Sequence, residues 1–294
     1  MNTLIEILKP GFLLRDALVA SLLVGLVCPL VGVYFVLRRM VFLGVALPQI
    51  SSAGIAGSFL AYSWLAGEHQ HMEGGERTLA LAGSVVFTLV ATLLLAAFER
   101  RGRGTVEARI GTTYAIAGAV TILFLAKDPH GDAEIVGLLK GDILATTGAG
   151  LAGMFWIFGA VAVALLAFQK ELLLVSFDRD LAVVFGKRAA LWDLALYVLI
   201  GIVISLGVMT AGPMATFGFL VIPPVAMRLV ARRMMTFSLG SALLGAASAF
   251  AGFYLAYRFD MPLGPAEIAV ASVALAAIGG VTALRRGLGA ARAP

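Results

Sequence analysis

Residues 194–227 read LALYVLIGIVISLGVMTAGPMATFGFLVIPPVAM, and not one of these side chains is charged. A membrane-spanning helix needs about 20 apolar residues, so this run of 34 is too long for one upright crossing and short for two ordinary ones. Pro213 has no amide proton to donate and crowds the carbonyl four residues earlier, so a helix should end near Gly212 and restart behind it. We therefore predict two spans, 194–211 and 214–227, packed back to back and joined by a turn.

The composition of the whole chain is that of a membrane protein. Hydrophobic residues make up 61% of the chain and charged residues 13%, with a mean hydropathy of +0.99, whereas a soluble domain carries about twice that share of charge. The remaining charge-free runs are 17–37, 41–67, 78–98, 110–126, 143–169, 234–257 and 268–284. The predicted fold is a single all-α polytopic membrane domain over residues 1–294, with about nine transmembrane helices, or eight if 194–227 does not fully cross twice.

The basic residues indicate the orientation, because Lys and Arg concentrate in the cytoplasmic loops of membrane proteins. With nine spans, 16 of the 22 Lys and Arg residues fall on one face, whereas a single crossing in 194–227 would divide them equally between the faces. We therefore predict an outside N-terminus and a cytoplasmic C-terminus in the bacterial cytoplasmic (inner) membrane. The net charge of +5 lies in these short loops beside membrane lipid, so it indicates topology rather than nucleic-acid binding.

The chain shows none of the residue patterns of an enzyme. Its three histidines lie in loops, it has no HExxH motif, and it lacks the GxxxxGK[ST] loop that cradles phosphate in ATPases. No predicted span contains an Asp, Glu, Lys or Arg deep in the membrane, so the charged relays of many pumps have no obvious residues here. We expect no catalytic residue, and a buried packing role for the single cysteine, Cys28.

Polar candidates lie in one span and one loop. Gln49 is roughly 13 Å from the cytoplasmic end of the run 41–67, close to the midplane of an apolar core of about 30 Å. A polar side chain at that depth faces protein or water rather than lipid. In the external loop 68–77, His69 and His71 are spaced to make a loose contact with a divalent metal ion, although a solvated loop is the simpler interpretation.

Several segments together are typical of one family. They are the basic pair Arg38-Arg39 followed by MVFLGVALPQIS (40–51), then EARIG (107–111), GDIL (141–144), and Gly212 followed ten residues later by Ile222-Pro223-Pro224 and by ARR (231–233). In this order they resemble, over nearly the whole chain, the membrane permeases of ABC importers for zinc, manganese and iron. The prolines and glycine of the last segment, Gly212, Pro213, Pro223 and Pro224, are the predicted helix breaks.

The resemblance implies a docking role for the cytoplasmic segment that starts at residue 170. Such permeases have a short helix there that fits a groove on the partner ATPase, and the matching residues are Asp178, Asp180, Ala182 and Gly186. Taken alone, the segment also fits an ordinary amphipathic loop helix with a glycine C-cap. The implied partners are an ATP-binding subunit that uses Mg-ATP, an extracytoplasmic metal-binding protein and a second copy of the permease.

The sequence departs from the family where its members carry Asp and His in the second span, because Val45 and Gln49 stand there. Zinc prefers thiolate, imidazole and carboxylate ligands, so the resemblance implies that the ion passes through weak, successive contacts. The residues predicted to line this pathway are Gln49, Ser51, Ser52, Thr210, Met214 and Thr216. The predicted substrate is a divalent metal ion, zinc first and manganese or iron next.

The predicted function is that of the transmembrane permease of an ATP-driven divalent metal importer, with ATP hydrolysis in a partner chain. An ATP-independent secondary transporter or channel is the alternative, since broken helices near the membrane midplane occur in both classes. A purely structural subunit would leave the polar residues at the midplane unexplained. The segment 180–186 discriminates between the first two, because a transporter without an ATPase has no need of a docking helix.

Overall fold

The structure is a computed structural model that describes residues 14–66, 76–99, 106–127 and 148–290. These residues form helices and a few short turns, without a strand in the described part of the chain. The helices are α1 (Arg15–Leu37), α2 (Leu43–Ala66), α3 (Glu76–Glu99), α4 (Val106–Lys127), α5 (Gly148–Ala167), α6 (Gln169–Phe177), α7 (Arg179–Val184), α8 (Ala189–Arg228), α9 (Met234–Phe259) and α10 (Leu263–Ala290). The loop histidines His69 and His71 and the motif at 141–144 lie outside the described residues.

Eight of these helices, α1 to α5 and α8 to α10, are long and apolar enough to cross a membrane. Each coincides with a charge-free run of the sequence, which confirms the predicted all-α polytopic fold. In their apolar stretches, 78% of the residues of α1 and 72% of those of α8 are buried, against 17% for α4 and 11% for α10. Helix α2 is also 72% buried, so α1, α2 and α8 form the centre, and the outer helices present apolar faces to lipid or to other protein.

Helix α8 reverses its direction at Gly212, where a φ of 81° and a ψ of 166° interrupt the helical backbone. Residues nine apart on a straight helix are separated by about 13 Å, yet a Cβ atom at Gly207 would lie 2.9 Å from the Cγ2 atom of Thr216. The two limbs therefore lie side by side next to the break. Their tip reaches the start of α10, since a Cβ atom at Gly264 would lie 3.2 Å from the Cβ atom of Ala215.

Both ends of α8 lie beside the C-terminal end of α1. Near the start of α8, the Oδ1 atom of Asp193 is 2.9 Å from the Nη2 atom of Arg38. At the end of α8, Arg228 donates a hydrogen bond from Nη1 to the carbonyl oxygen of Val36, at 3.2 Å. Helix α8 thus begins and ends at one face, and its two limbs are the back-to-back segments predicted for 194–227.

Helices α1 and α10 end at the same face of the bundle. A Cβ atom at Gly279, in the second half of α10, would lie 3.8 Å from the Cδ1 atom of Leu229, the residue that follows α8. Helix α10 therefore runs from the tip of α8 back to the face where α1 ends, and α1 begins at the opposite face. This arrangement fits an odd number of passages. Which face is cytoplasmic stays a prediction.

Small residues let α1 touch its neighbours backbone to backbone. A Cβ atom at Gly25 would lie 2.7 Å from the Cβ atom of Ala249 on α9, and one at Gly32 would overlap the carbonyl oxygen of Leu220 on α8. Such close approach is how membrane helices pack where both surfaces are apolar. Cys28 lies between the two glycines and is buried, in agreement with the packing role expected for it.

Candidate functional site

Gln49 lies on the side of α2 that faces α4, and its side chain is partly exposed. A Cβ atom at Gly118 of α4 would be 3.6 Å from the Nε2 atom of Gln49, so the glycine leaves room for the amide. Val45 lies one helical turn earlier and is also partly exposed, and residues four apart share a helix face. The two positions at which the family carries Asp and His are therefore neighbours on α2, but this chain offers only one amide there.

The hydroxyl groups of Ser51 and Ser52 are buried and already hydrogen-bonded. The Oγ atoms of Ser51 and Ser84 are 2.6 Å apart, which joins α2 to α3. Ser52 donates to the carbonyl oxygen of Pro48, at 3.2 Å. Ser84 also approaches the carbonyl oxygen of Ser205 on α8, at 3.5 Å. In this conformation, therefore, Ser51 links two helices, whereas Ser52 bonds only within its own helix.

The residues predicted around the break of α8 divide into two kinds. Thr210 donates to the carbonyl oxygen of Leu206 and Thr216 to that of Gly212, both at 2.8 Å, and both threonines are buried. Met214 lies at the tip, with 63% of its surface exposed. The six predicted pathway residues therefore do not form one cluster, and only Gln49 and Met214 have accessible side chains.

Glu267 is a polar residue that the sequence analysis missed. It lies in the second turn of α10, is completely buried, and accepts a hydrogen bond from Ser21 of α1 through its Oε1 atom. Its Oε2 atom has no hydrogen-bond partner among the described residues. Helix α10 therefore carries a buried acidic residue near its start, which the predicted span 268–284 left out. The predicted span started at residue 268, whereas the helix begins at Leu263, five residues or about 7.5 Å earlier at 1.5 Å per residue.

The segment between α6 and α8 is a short helix with a cap at each end. At the start of α7, the Asp178 side chain accepts a hydrogen bond from the amide of Leu181, at 2.9 Å. After its last residue, Gly186 adopts a left-handed φ of 70°, and the amide of Lys187 donates to the carbonyl oxygen of Ala182, at 3.0 Å. This is the pattern of a Schellman motif, so the glycine C-cap expected from the sequence is present.

Helix α7 turns one small residue inward and its larger apolar residues outward. Ala182 is buried against Val175 of α6 and Ala189 of α8. The exposed fractions of the outward residues are 58% for Val183, 80% for Val184 and 66% for Phe185, and Asp180 is exposed beside them. An exposed apolar patch rimmed by charged residues is typical of a surface that binds another protein.

The described residues contain no group of three or more His, Cys, Asp or Glu side chains that could hold a metal ion.

Ser205, on α8, is another buried polar residue that the sequence analysis missed. Its Oγ atom is buried and has no partner within the described ranges. A serine inside an apolar run is a weak sequence signal, because such a hydroxyl usually bonds to the backbone of its own helix.

This fold defines a class: an all-helical, multi-pass membrane protein with a folded-back central helix and a capped short helix at one face. Comparison with protein families agrees with it. The model of the ABC 3 transport family matches residues 12–280. The chain belongs to this family, which confirms the resemblance carried by its motifs.

Individual relatives cover most of the chain. It is 26% identical over 263 residues to the manganese transport system membrane protein MntC of Halalkalibacterium halodurans, a match that covers 90% of this chain and 85% of the relative. It is 23% identical over 265 residues to a probable iron transport system membrane protein of Haemophilus influenzae, covering 90% and 88%. Among solved structures, PsaBC from Streptococcus pneumoniae in complex with Fab superposes with a TM-score of 0.78 at 22% identity, covering 94% of both chains, and it supports the fold.

Proposed function

We propose that this chain is the transmembrane permease subunit of an ATP-driven importer of a divalent metal ion, and that it couples to a separate ATP-hydrolysing subunit. The observation that carries the proposal is α7, whose caps and buried Ala182 hold Val183, Val184 and Phe185 outward as a docking surface. An ATP-independent transporter has no use for such a surface. Mg-ATP is then bound by the partner and not by this chain.

We infer that manganese is the substrate to test first, ahead of the zinc and iron that remain competitors. The relatives described above are named for manganese or iron transport. The chemistry agrees, because Gln49 of α2 is partly exposed and carries an amide oxygen, and carbonyl and water oxygens suit manganese better than zinc. An ion held by weak oxygen contacts can also leave the site quickly, which transport requires.

The pathway that we propose starts from the two accessible side chains, Gln49 and Met214. The hydroxyl groups of Ser51, Ser52, Thr210 and Thr216 would join it only when the helices move apart and their present hydrogen bonds are exchanged for contacts with the ion or its water. This is consistent with a closed conformation of the chain. His69 and His71 remain candidates for a first contact outside the membrane.

The proposed assembly has two copies of this chain, two ATP-binding subunits and an extracytoplasmic metal-binding protein. The outer helices support a second copy, since α4 and α10 leave most of their residues unburied within one chain.

The proposed location is the bacterial cytoplasmic membrane, with α7 on the cytoplasmic side. A reporter fused after Arg233 should be active inside the cell, and activity only outside would reverse the orientation.

Co-purification and transport test the proposal. The affinity-tagged chain, extracted in mild detergent, should retain a subunit that hydrolyses ATP, and proteoliposomes of that complex supplied with the binding protein should accumulate radiolabelled manganese only with ATP. Zinc and iron are added as competitors to order the three metals. Manganese accumulation at the same rate by the chain alone, without ATP, would favour the secondary transporter or channel instead.

A further inference from the structure

We propose that Arg38 is a positioning residue that connects the docking helix α7 to the transmembrane helices α1 and α8, so that movement of the ATPase subunit reaches the pathway. This inference rests on the proposed function, because it assumes that α7 contacts an ATPase. It concerns the cluster of Arg38, Ser176, Arg179 and Asp193, called the Arg38 cluster below. None of these residues belongs to the docking surface or to the pathway described above.

The Arg38 cluster joins three parts of the fold at one point. Arg38 follows the last residue of α1, and its Nε atom donates a hydrogen bond to the Oγ atom of Ser176, near the end of α6, at 3.0 Å. Its Nη2 atom lies 2.9 Å from the Oδ1 atom of Asp193 on α8. The second carboxylate oxygen of Asp193 lies 3.7 Å from the Nη1 atom of Arg179, the first residue of α7. The Asp193 carboxylate is thus shared between α1 and α7.

The geometry needs an arginine at position 38. Ser176 gives its hydroxyl proton to the carbonyl oxygen of Leu172, at 2.5 Å, so its oxygen accepts from Arg38. The guanidinium group also lies 5.8 Å from the centre of the Tyr197 ring, one turn beyond Asp193. A planar guanidinium group can turn its nitrogen atoms toward a hydroxyl and a carboxylate while its face lies near an aromatic ring. A lysine ammonium group cannot make these contacts together.

Because the Arg38–Asp193 ion pair is largely buried, it should hold its helices together more strongly than an exposed ion pair would. The side chains of Arg38 and Asp193 are each only 11% exposed, whereas Arg179 is 45% exposed. Removing one partner of a shielded ion pair leaves the other charge uncompensated, which is costly, whereas exposed pairs contribute little. The Arg38–Asp193 contact should therefore hold its elements together while the more exposed Arg179 contact gives α7 some freedom.

This connection has a mechanical consequence. Helix α7 is held to the membrane domain by the apolar packing of Ala182 and by the Arg38 cluster. Asp193 lies near the start of α8, and α8 carries both limbs of the hairpin. A displacement of α7 by the ATPase is therefore transferred through Asp193 to α8 and through Arg38 to α1. Without the cluster, we expect α7 to move with the ATPase while the membrane helices lag behind.

The test compares Arg38→Gln with the wild type in the complete complex, purified with its ATPase subunit and reconstituted with the binding protein. Manganese uptake and ATP hydrolysis are measured together. We expect binding of the ATPase subunit to stay within about twofold and manganese accumulated per ATP to fall about tenfold, because a charge–charge contact between moving elements is lost. The matched control is Glu171→Gln, which removes an ion pair between Glu171 and Lys187 inside the cytoplasmic segment and should leave the ratio unchanged.

A second variant keeps the test decisive if Arg38→Gln does not fold. The double variant Arg38→Met/Asp193→Leu leaves no unpaired buried charge, so it should fold and still show the lowered ratio. Arg38→Lys should restore the ratio only in part, because the bond to Ser176 is lost. A wild-type ratio in the double variant, or an equal fall in Glu171→Gln, would overturn the inference. If the wild-type complex contains no ATPase at all, the proposed function fails and the inference falls with it.

Discussion

Removing the N-cap of α7 tests whether a preformed helix binds the ATPase. The helix has only 6 residues, and helices shorter than about 12 residues are marginal without outside support. Asp178 supplies part of that support, since its side chain accepts the amide hydrogen bond of Leu181 at 2.9 Å. Asp178→Ala removes the acceptor and leaves that amide to water, at a cost of about 1 kcal/mol of helix stability.

The cost translates into an affinity. About 1 kcal/mol changes the ratio of helix to open chain roughly fivefold, and a ligand that binds only the helix loses apparent affinity by up to that factor. We therefore expect the Kd between the purified permease and its ATPase subunit, measured by titration in detergent, to rise about threefold to fivefold in Asp178→Ala. The matched control is Asp178→Asn, which caps a helix as well as Asp does and should bind like the wild type.

Two results would refute this reasoning. Wild-type affinity in Asp178→Ala would show that α7 is either not the contact or is held in shape by other forces, such as the burial of Ala182. Equal weakening in the alanine and asparagine variants would show that the negative charge matters and the cap does not. Thermal unfolding of both variants in detergent should agree with the wild type, because only Ala182 of this six-residue helix is buried and the helix contributes little to the membrane core.

Three further predictions concern the glycine cap, the pathway and the buried acid. Gly186→Val places a β-branched residue at a φ of 70°, a backbone conformation that favours glycine. Stimulation of the ATPase by metal-loaded binding protein should therefore fall while the chain stays folded. Unchanged stimulation would contradict the docking role. Gln49→Leu should strongly reduce manganese uptake at equal expression. Gln49→His should bind the ion more tightly and release it more slowly. Wild-type uptake in the leucine variant would remove Gln49 from the pathway. Glu267→Gln should keep the hydrogen bond to Ser21 and the wild-type unfolding temperature. Glu267→Leu removes that hydrogen bond and should lower the unfolding temperature by a few degrees. Equal unfolding temperatures in the two variants would show that the hydrogen bond does not contribute to stability.

The spans could be predicted because lipid permits few alternatives. A backbone in hydrocarbon must satisfy its own hydrogen bonds, so every charge-free run of sufficient length becomes a helix. The reversal of α8 was also predictable, because Gly212 and Pro213 together disfavour a straight helix and no other pair lies midway along a run too long for one crossing. The glycine cap at Gly186 was also predictable from local sequence, because a glycine just after a helical pattern can adopt the left-handed conformation that ends a helix.

The candidate site was less predictable, because its polar groups depend on partners far away in the sequence. Glu267 stands at the edge of a charge-free run, and its hydrogen-bond partner Ser21 lies 246 positions earlier in the sequence. Ser51 was predicted to line the ion pathway, but in this conformation its hydroxyl group contacts Ser84 of another helix. Composition can thus say that a polar side chain in a span faces inward. It cannot say whether it meets water, an ion or another helix.

The folded-back shape of α8 relates the proposed docking surface to the proposed pathway. Because α8 has Asp193 near its start and Arg228 at its end, both beside α1, a force applied at that face should act on the whole hairpin. Helices are stiff over such lengths, so a small rotation at the base becomes a larger displacement at the tip, where Met214 is exposed. The limbs touch at Gly207 and Thr216, just below the tip, so we expect the hairpin to tilt as one unit. Such a tilt would open the proposed pathway at the point where Ser51, Ser52, Thr210 and Thr216 exchange their present hydrogen bonds for contacts with the ion or its water.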